Sequence, residues 1–188
     1  MAGALILVRH AMPEVTPGLA STLWPLSAAA REDCVLLAHA LPPVLAPLIY
    51  TSPERKALET AAVVALRRGL EVVTDPGLRE VDRPATWDDD YREAAARYLA
   101  DGGRDGWEPA AAVRVRVAAA VERARARHPQ GDLVVVGHGL ALSLFLAGAA
   151  AVDLVAFWRA LTFPDAWRLD PALPSTLTRI HERGLPPP

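Results

Sequence analysis

Two unbroken apolar runs, Leu5-Ile6-Leu7-Val8 and Leu133-Val134-Val135-Val136, constrain this chain more than any other feature. Neither alternates with polar residues, so each reads as a strand covered on both faces, the habit of a parallel sheet flanked by helices. Each also ends in chemistry. The first delivers Arg9-His10 ahead of Ala11, Met12 and Pro13, and the second delivers Gly137-His138-Gly139. Open α/β sheets place ligands beyond the carboxyl ends of their strands, so two strand-tip histidines mark that edge as the first place to look for a site.

Between these strands the pattern alternates helix and strand. Ser27 can cap a helix over 28–40, which Pro42 and Pro43 end. A second strand is expected over 44–50, with Pro47 suggesting an edge position or a late start. Thr51-Ser52-Pro53 then opens a helix running to about Arg68, where Gly69 closes it. Arg55 falls in the first turn of that helix, where a cation opposes the helix dipole and calls for a compensating anion such as a ligand. A short strand over 71–74 follows, then a turn at Asp75-Pro76-Gly77. Residues 78–90 carry no clear period and read as an irregular flap, with a helix from about Asp88 to Leu99 behind it. Pro109 opens a long helix to about His128, whose arginines read as solvated cations on its outer face. An apolar helix over 140–150, another over 153–160, and closing strands over 167–169 and 176–180 complete the chain. The end, 185–188, reads as frayed.

The alternation implies an α/β fold, a three-layer αβα sandwich around a mostly parallel sheet. At 188 residues the chain reads as a single domain, 1–188, with a small flap or cap at about 81–108. A net charge of −2 and scattered arginines give no electrostatic case for nucleic acid. No apolar segment has the length of a membrane span and no leader pattern is evident, so a cytoplasmic, membrane-free protein is expected. Cys34 is the sole cysteine, so no internal disulfide can form, and it reads as a helix packing residue.

At four places in order the chain resembles the histidine phosphatase superfamily, the phosphoglycerate-mutase-like proteins. Leu7-Val8-Arg9-His10-Ala11 is similar to that family's Arg-His-Gly signature, and Thr51 to Ala61 to its second-arginine helix. Leu78-Arg79-Glu80 resembles the segment bearing its acid, and Val134 to Gly139 the strand that ends in its second histidine. The resemblance implies a phosphatase in which His10 is the nucleophile, Arg9, Arg55 and His138 bind the phosphate, and Glu80 donates a proton to the leaving oxygen. The parts suit the reaction, because guanidinium forks bind phosphoryl oxygens and stabilise the charge that spreads over them in transfer. His10 must be neutral to attack, and nearby arginines depress its pKa.

That reading calls for a small phosphorylated substrate, no metal and no cofactor. Ala11 stands in place of the signature glycine, and Thr16 where many members carry a phosphate-contacting asparagine. Asp82, two residues from Glu80, points the same way in an extended segment and is the alternative proton donor. Gly139 after His138 sets the chain apart from the phytase-like His-Asp branch. A protein phosphohistidine phosphatase and a non-catalytic phospho-ligand binding module are the alternative functions, and a mutase is disfavoured by short lid segments. His39, His128 and His181 read as helix caps or solvated residues. Trp24 and Trp87 lie in segments expected to overhang the site. The sequence leaves the physiological substrate and the oligomeric state open.

Overall fold

In a computed structural model, which describes residues 3–43, 45–84, 90–170 and 176–182, the chain runs β1 (Leu5–Arg9), α1 (Ala28–Ala40), β2 (Leu45–Thr51), α2 (Arg55–Arg68), β3 (Glu71–Thr74), α3 (Tyr91–Asp101), α4 (Ala110–Arg127), β4 (Asp132–Gly137), α5 (Gly139–Ala149), α6 (Leu154–Ala160), β5 (Asp165–Leu169) and β6 (Leu177–Glu182). One sheet holds the strands in the order β3-β2-β4-β1-β5-β6. The two apolar runs take its middle. β1 pairs with β4, β4 with β2 and β2 with β3 in parallel, while β5 and β6 continue antiparallel beyond β1.

The period of two along these strands divides the core. Ile6, Val8, Val134 and Val136 pack with Ile49 against Leu37 and Ala38 of α1 and Ala57, Ala61 and Val64 of α2. Leu5, Leu7, Leu133 and Val135 face the other way, onto Val113 and Val117 of α4, Leu140 and Leu144 of α5 and Tyr98 of α3. Helices thus cover both faces, as the absence of polar alternation requires, and each buried Leu, Ile or Val contributes about 1.5–3 kcal/mol.

Several expectations shift. β2 lies inside the sheet, not at its edge. Its register on β4 is broken between Leu45 and Ile49 and its pairing with β3 starts only at Leu48, so Pro47 sits where no regular ladder needs its missing N–H. α3 begins at Tyr91. The arginines of α4 are not all solvated: Arg123 grips both oxygens of Asp75, Arg125 binds the carbonyls of Gly131 and Ala4, and Arg116 binds those of Gly77, Arg79 and Glu80. Cys34 is fully buried in α1, where burial pushes its thiol up to about 12. No helix among the described residues is long and apolar enough to cross a membrane. Val44, Trp87, the expected first residues of α3 and the terminal 185–188 lie outside the described residues.

What positions the chemistry is a junction between β1 and α2. The backbone N–H of Ala11 donates to Thr60 Oγ1 at 3.0 Å, and that hydroxyl donates to the Lys56 carbonyl at 2.8 Å. Ala11 itself is fully buried in a small cluster with Leu26, Ala30 and Cys34, so a methyl group is accommodated at this position. Replacing Thr60 with Val keeps the shape but strands the Ala11 N–H. Urea unfolding of Thr60→Val is expected to show a loss of about 1–3 kcal/mol, and an unchanged unfolding free energy would show that the Thr60 hydroxyl does not stabilise the junction.

Candidate active site

The carboxyl ends of β1, β2 and β4 converge. His10 N–H donates to the Gly137 carbonyl at 3.0 Å and Ser52 N–H to the Val136 carbonyl at 3.1 Å, so these tips are held in register past the ladders themselves. A cavity of about 370 Å³ opens there, lined in part by Arg9, His10, Glu54, Lys56, Glu80 and Asp82. Its outer wall is shared between the loop after β1, which contributes Met12 and Trp24, and the segment carrying Arg83 and Tyr91.

His10 is buried, and its Nδ1 lies 2.7 Å from the Ala11 carbonyl oxygen. A carbonyl can only accept, so Nδ1 carries the proton and Nε2 keeps its lone pair. Burial holds the His10 imidazole well below its usual range of protonation, reinforced by His138, Lys56 and Arg9, with the Ala11 bond opposing. The expected cause, nearby arginines, is therefore a lesser one than desolvation.

His138 is completely buried at the start of α5 and meets the His10 ring edge-on, with centroids 5.1 Å apart. Its Nε2 is 2.8 Å from Ser52 Oγ and 3.5 Å from Glu54 Oε1, while Nδ1 is buried without a hydrogen-bond partner among the described residues. Burial lowers its pKa strongly too, followed by the charges of Lys56, Arg116 and Arg9.

Arg9 is buried with its Nη1 donating to the Leu161 carbonyl at 3.0 Å and its guanidinium carbon 3.5 Å above the Phe163 ring. Its Nε has no hydrogen-bond partner among the described residues. Desolvation lowers its pKa to about 10, which leaves it a cation at neutral pH. Gly139 matters for this placement, since a Cβ there would stand 3.3 Å from Arg9 Nε and 3.2 Å from Trp158 Nε1, tighter than ordinary contact.

Arg55 does not join them. Its side chain is 51% exposed and donates to Glu59 Oε1 at 2.8 Å, one turn along α2, while Arg31 holds the other carboxylate oxygen. The compensating anion for a cation in this first turn is therefore Glu59, not a ligand. The neighbouring residue takes the inner place. Lys56 is buried, lines the cavity, and donates to Glu54 Oε2 at 2.7 Å and to the Ser21 carbonyl at 2.8 Å. One residue turns a helix by about 100°, so Arg55 and Lys56 cannot face the same side. The signal was present in the period, because buried positions recur at Lys56-Ala57, Thr60-Ala61 and Val64-Ala65. Ser52 and Glu54, also overlooked, had no such signal, since a serine and a glutamate beside a proline read as ordinary helix-start residues.

Glu80 is half-buried, and its carboxylate accepts from Val81 at 3.0 Å, Leu140 at 3.2 Å and Ala141 at 2.9 Å, which ties it to the first turn of α5. Asp82 is exposed and also lines the cavity. Thr16 is exposed, and its hydroxyl donates to the Glu14 carbonyl of its own loop. Trp24 packs into the wall with its indole donating to the Leu19 carbonyl at 3.0 Å. His39 is exposed in the last turn of α1, His128 caps α4 and His181 lies on β6, and none lines the cavity.

The sequence pattern of the histidine phosphatase superfamily (branch 1) matches residues 5–166. The chain belongs to that superfamily. It is 31% identical over 168 residues to phosphoserine phosphatase 1 of Hydrogenobacter thermophilus, a match covering 82% of this chain and 79% of that one. Its fold is that of a mycobacterial glucosyl-3-phosphoglycerate phosphatase (TM-score 0.69, 23% identity, 89% and 90% of the two chains). It is equally that of YhfR from Bacillus stearothermophilus (TM-score 0.69, 24% identity, 95% of each chain). The protein is an enzyme of the histidine phosphatase type.

For this histidine phosphatase, two buried neutral imidazoles set a pH dependence of stability. In the unfolded chain both rings protonate near pH 6.5, whereas in the fold they stay neutral to well below it. Below pH 6.5 the unfolded state therefore binds more protons, so the contribution is complete above that pH and is lost as pH falls toward the folded-state values. Urea unfolding is expected to weaken on acidification with a slope approaching about 1.4 kcal/mol per pH unit for each ring. A His138→Gln variant should lose one ring's share of that slope, and identical slopes for the two proteins would contradict the assignment.

Proposed function

We propose that this histidine phosphatase hydrolyses a small phosphomonoester, without a metal ion, through a phosphohistidine on His10. The observation that carries the reading is the His10 tautomer. Its Nδ1 proton is committed to the Ala11 carbonyl, which leaves Nε2 as a fixed, unprotonated nucleophile. Two buried groups next to it lack partners among the described residues, Arg9 Nε and His138 Nδ1, and a phosphoryl oxygen is an acceptor that would take the N–H of Arg9 and, in the tautomer with its proton on Nδ1, that of His138. Lys56 supplies the second cation in place of Arg55.

In the first step Nε2 forms a bond to phosphorus while the bond to the ester oxygen breaks, and Glu80 gives that oxygen a proton. In the second, water attacks the phosphohistidine, the N–P bond breaks and Glu80 takes the water's proton, giving inorganic phosphate. A substrate dianion in the cavity favours the protonated carboxyl that the first step needs. Glu80 is preferred to Asp82 because it is fixed beside His138 by three N–H donors, whereas Asp82 is exposed. The described part of the segment 81–108 acts as a cap over a single catalytic domain, with Val81, Arg83 and Tyr91 in the cavity wall. A cavity of about 370 Å³ holds an organic leaving group as well as the phosphate, which favours a small ester over a protein-borne phosphohistidine.

Turnover of p-nitrophenyl phosphate is expected to persist in EDTA and to vanish in His10→Ala, and activity retained in that variant would sink the proposal. Separately, Lys56→Met is expected to weaken inorganic phosphate binding by about 1.5–3 kcal/mol, the scale of a charged hydrogen bond. Arg55→Ala, which removes only an exposed ion pair, should leave the calorimetric Kd within about twofold. The reverse ranking would restore Arg55 to the pocket.

A further inference from the structure

Arg116 lies on α4, away from the cavity lining, yet it makes five hydrogen bonds, three to one stretch of chain and two to Glu108. Its Nη1 donates to the carbonyls of Gly77 at 2.9 Å and Arg79 at 2.8 Å, and its Nη2 to that of Glu80 at 2.9 Å. The remaining donors go to Glu108, Nε to Oε1 and Nη2 to Oε2, each at 2.7 Å. Glu108 in turn holds Asp82 from both sides, since its carboxylate accepts from Asp82 N–H at 3.2 Å and its own N–H donates to the Asp82 carbonyl at 2.8 Å. The pair is largely shielded from water, with side chains 17% and 18% exposed.

From this we infer that the Arg116–Glu108 pair is the positioning device for the proton donor: it fixes the backbone of residues 77–82 so that the Glu80 carboxyl reaches the leaving oxygen. The inference rests on Glu80 being that donor. Residues 79–84 are irregular and have no ladder of their own, so their backbone groups need partners from elsewhere. A planar fork with five donors can bind three carbonyls and a carboxylate at once, which a lysine cannot do. Glu80 is thereby held at both ends of its own residue, its carbonyl by Arg116 and its N–H by Glu54 Oε1 at 2.8 Å. Neither Arg116 nor Glu108 touches the reacting atoms, and although the Arg116 charge also acts on His138, Arg116→Lys keeps that charge, so a loss in that variant passes through Glu80.

The test separates this role from a merely structural one by the leaving group. A nitrophenolate departs from phosphorus without a proton and an alkoxide does not, so loss of a general acid is felt on alkyl esters. The value to compare is kcat/KM, which reports the first phosphoryl transfer and is blind to later hydrolysis of the phosphoenzyme. Glu80→Gln should lower kcat/KM by about 10²–10⁴-fold on propyl phosphate and by less than about tenfold on p-nitrophenyl phosphate. Arg116→Lys and Glu108→Gln should show the same bias in weaker form, about 10- to 100-fold on propyl phosphate against less than about threefold on the aryl ester. Their Kd for inorganic phosphate should be unchanged, which also reports that the variants are folded. Arg116→Met is the harsher variant, and if it does not fold the two milder ones still decide. Equal losses on both esters, or none, in variants that bind phosphate normally would overturn the positioning role while leaving Glu80 as the acid. If Glu80→Gln itself shows no leaving-group bias, the assignment of the acid falls and this inference falls with it.

Discussion

A single buried carboxylate, that of Glu54, is the point on which the site depends. One oxygen takes the Lys56 ammonium at 2.7 Å, and the other takes the Glu80 N–H at 2.8 Å and lies 3.5 Å from His138 Nε2. A charge at this depth survives only if it is paired and hydrogen-bonded, so the contacts of Glu54 are obligatory for the fold, not incidental to it. The same contacts link the cation of the pocket, the second histidine and the acid-bearing segment. Position in the chain makes this possible, since Glu54 stands just ahead of α2 in the short turn after β2, with its side chain directed to the site and not to the helix end.

The second constraint is desolvation. His10 and His138 are kept neutral chiefly by burial at the tips of the two central strands, with Lys56 and Arg9 adding to the effect. The surroundings that exclude water from the rings also strengthen every interaction made with a bound anion. On the proposed mechanism one structural cause serves two ends, an unprotonated nucleophile and an effective phosphate pocket. The rigidity comes from the sheet, because His10 and Ser52 each bond to the backbone of β4 beyond the regular ladder.

Much of this was legible in the sequence where a pattern repeated. The unalternating runs at Leu5 and Leu133 read as strands covered on both faces with Arg9, His10 and His138 at one edge, and β1 and β4 are the two middle strands of the sheet. Arg55 lies off the buried stripe of α2 that carries Lys56, and it pairs instead with Glu59 one turn along, a placement set by the helical period and not by residue type. The work of Arg116, Arg123 and Arg125 was hidden for a different reason. Their partners are backbone carbonyls and carboxylates up to 121 residues distant, and nothing in a local window reports such contacts. The antiparallel course of β5 and β6 was likewise unreadable, since short strands of mixed polarity fit either direction.

The claim at the centre of this account is that the phosphoryl group passes through Nε2 of His10. Rapid quenching of turnover into alkali, which preserves phosphohistidine, followed by phosphorus NMR and peptide mapping, tests it most directly. The expected result is a phosphoryl group on His10, attached at Nε2, in amounts approaching the enzyme present when phosphoenzyme hydrolysis is slow. A quenched enzyme that turns over substrate yet carries no phosphoryl group, or carries it at Nδ1 or on another residue, would contradict the account.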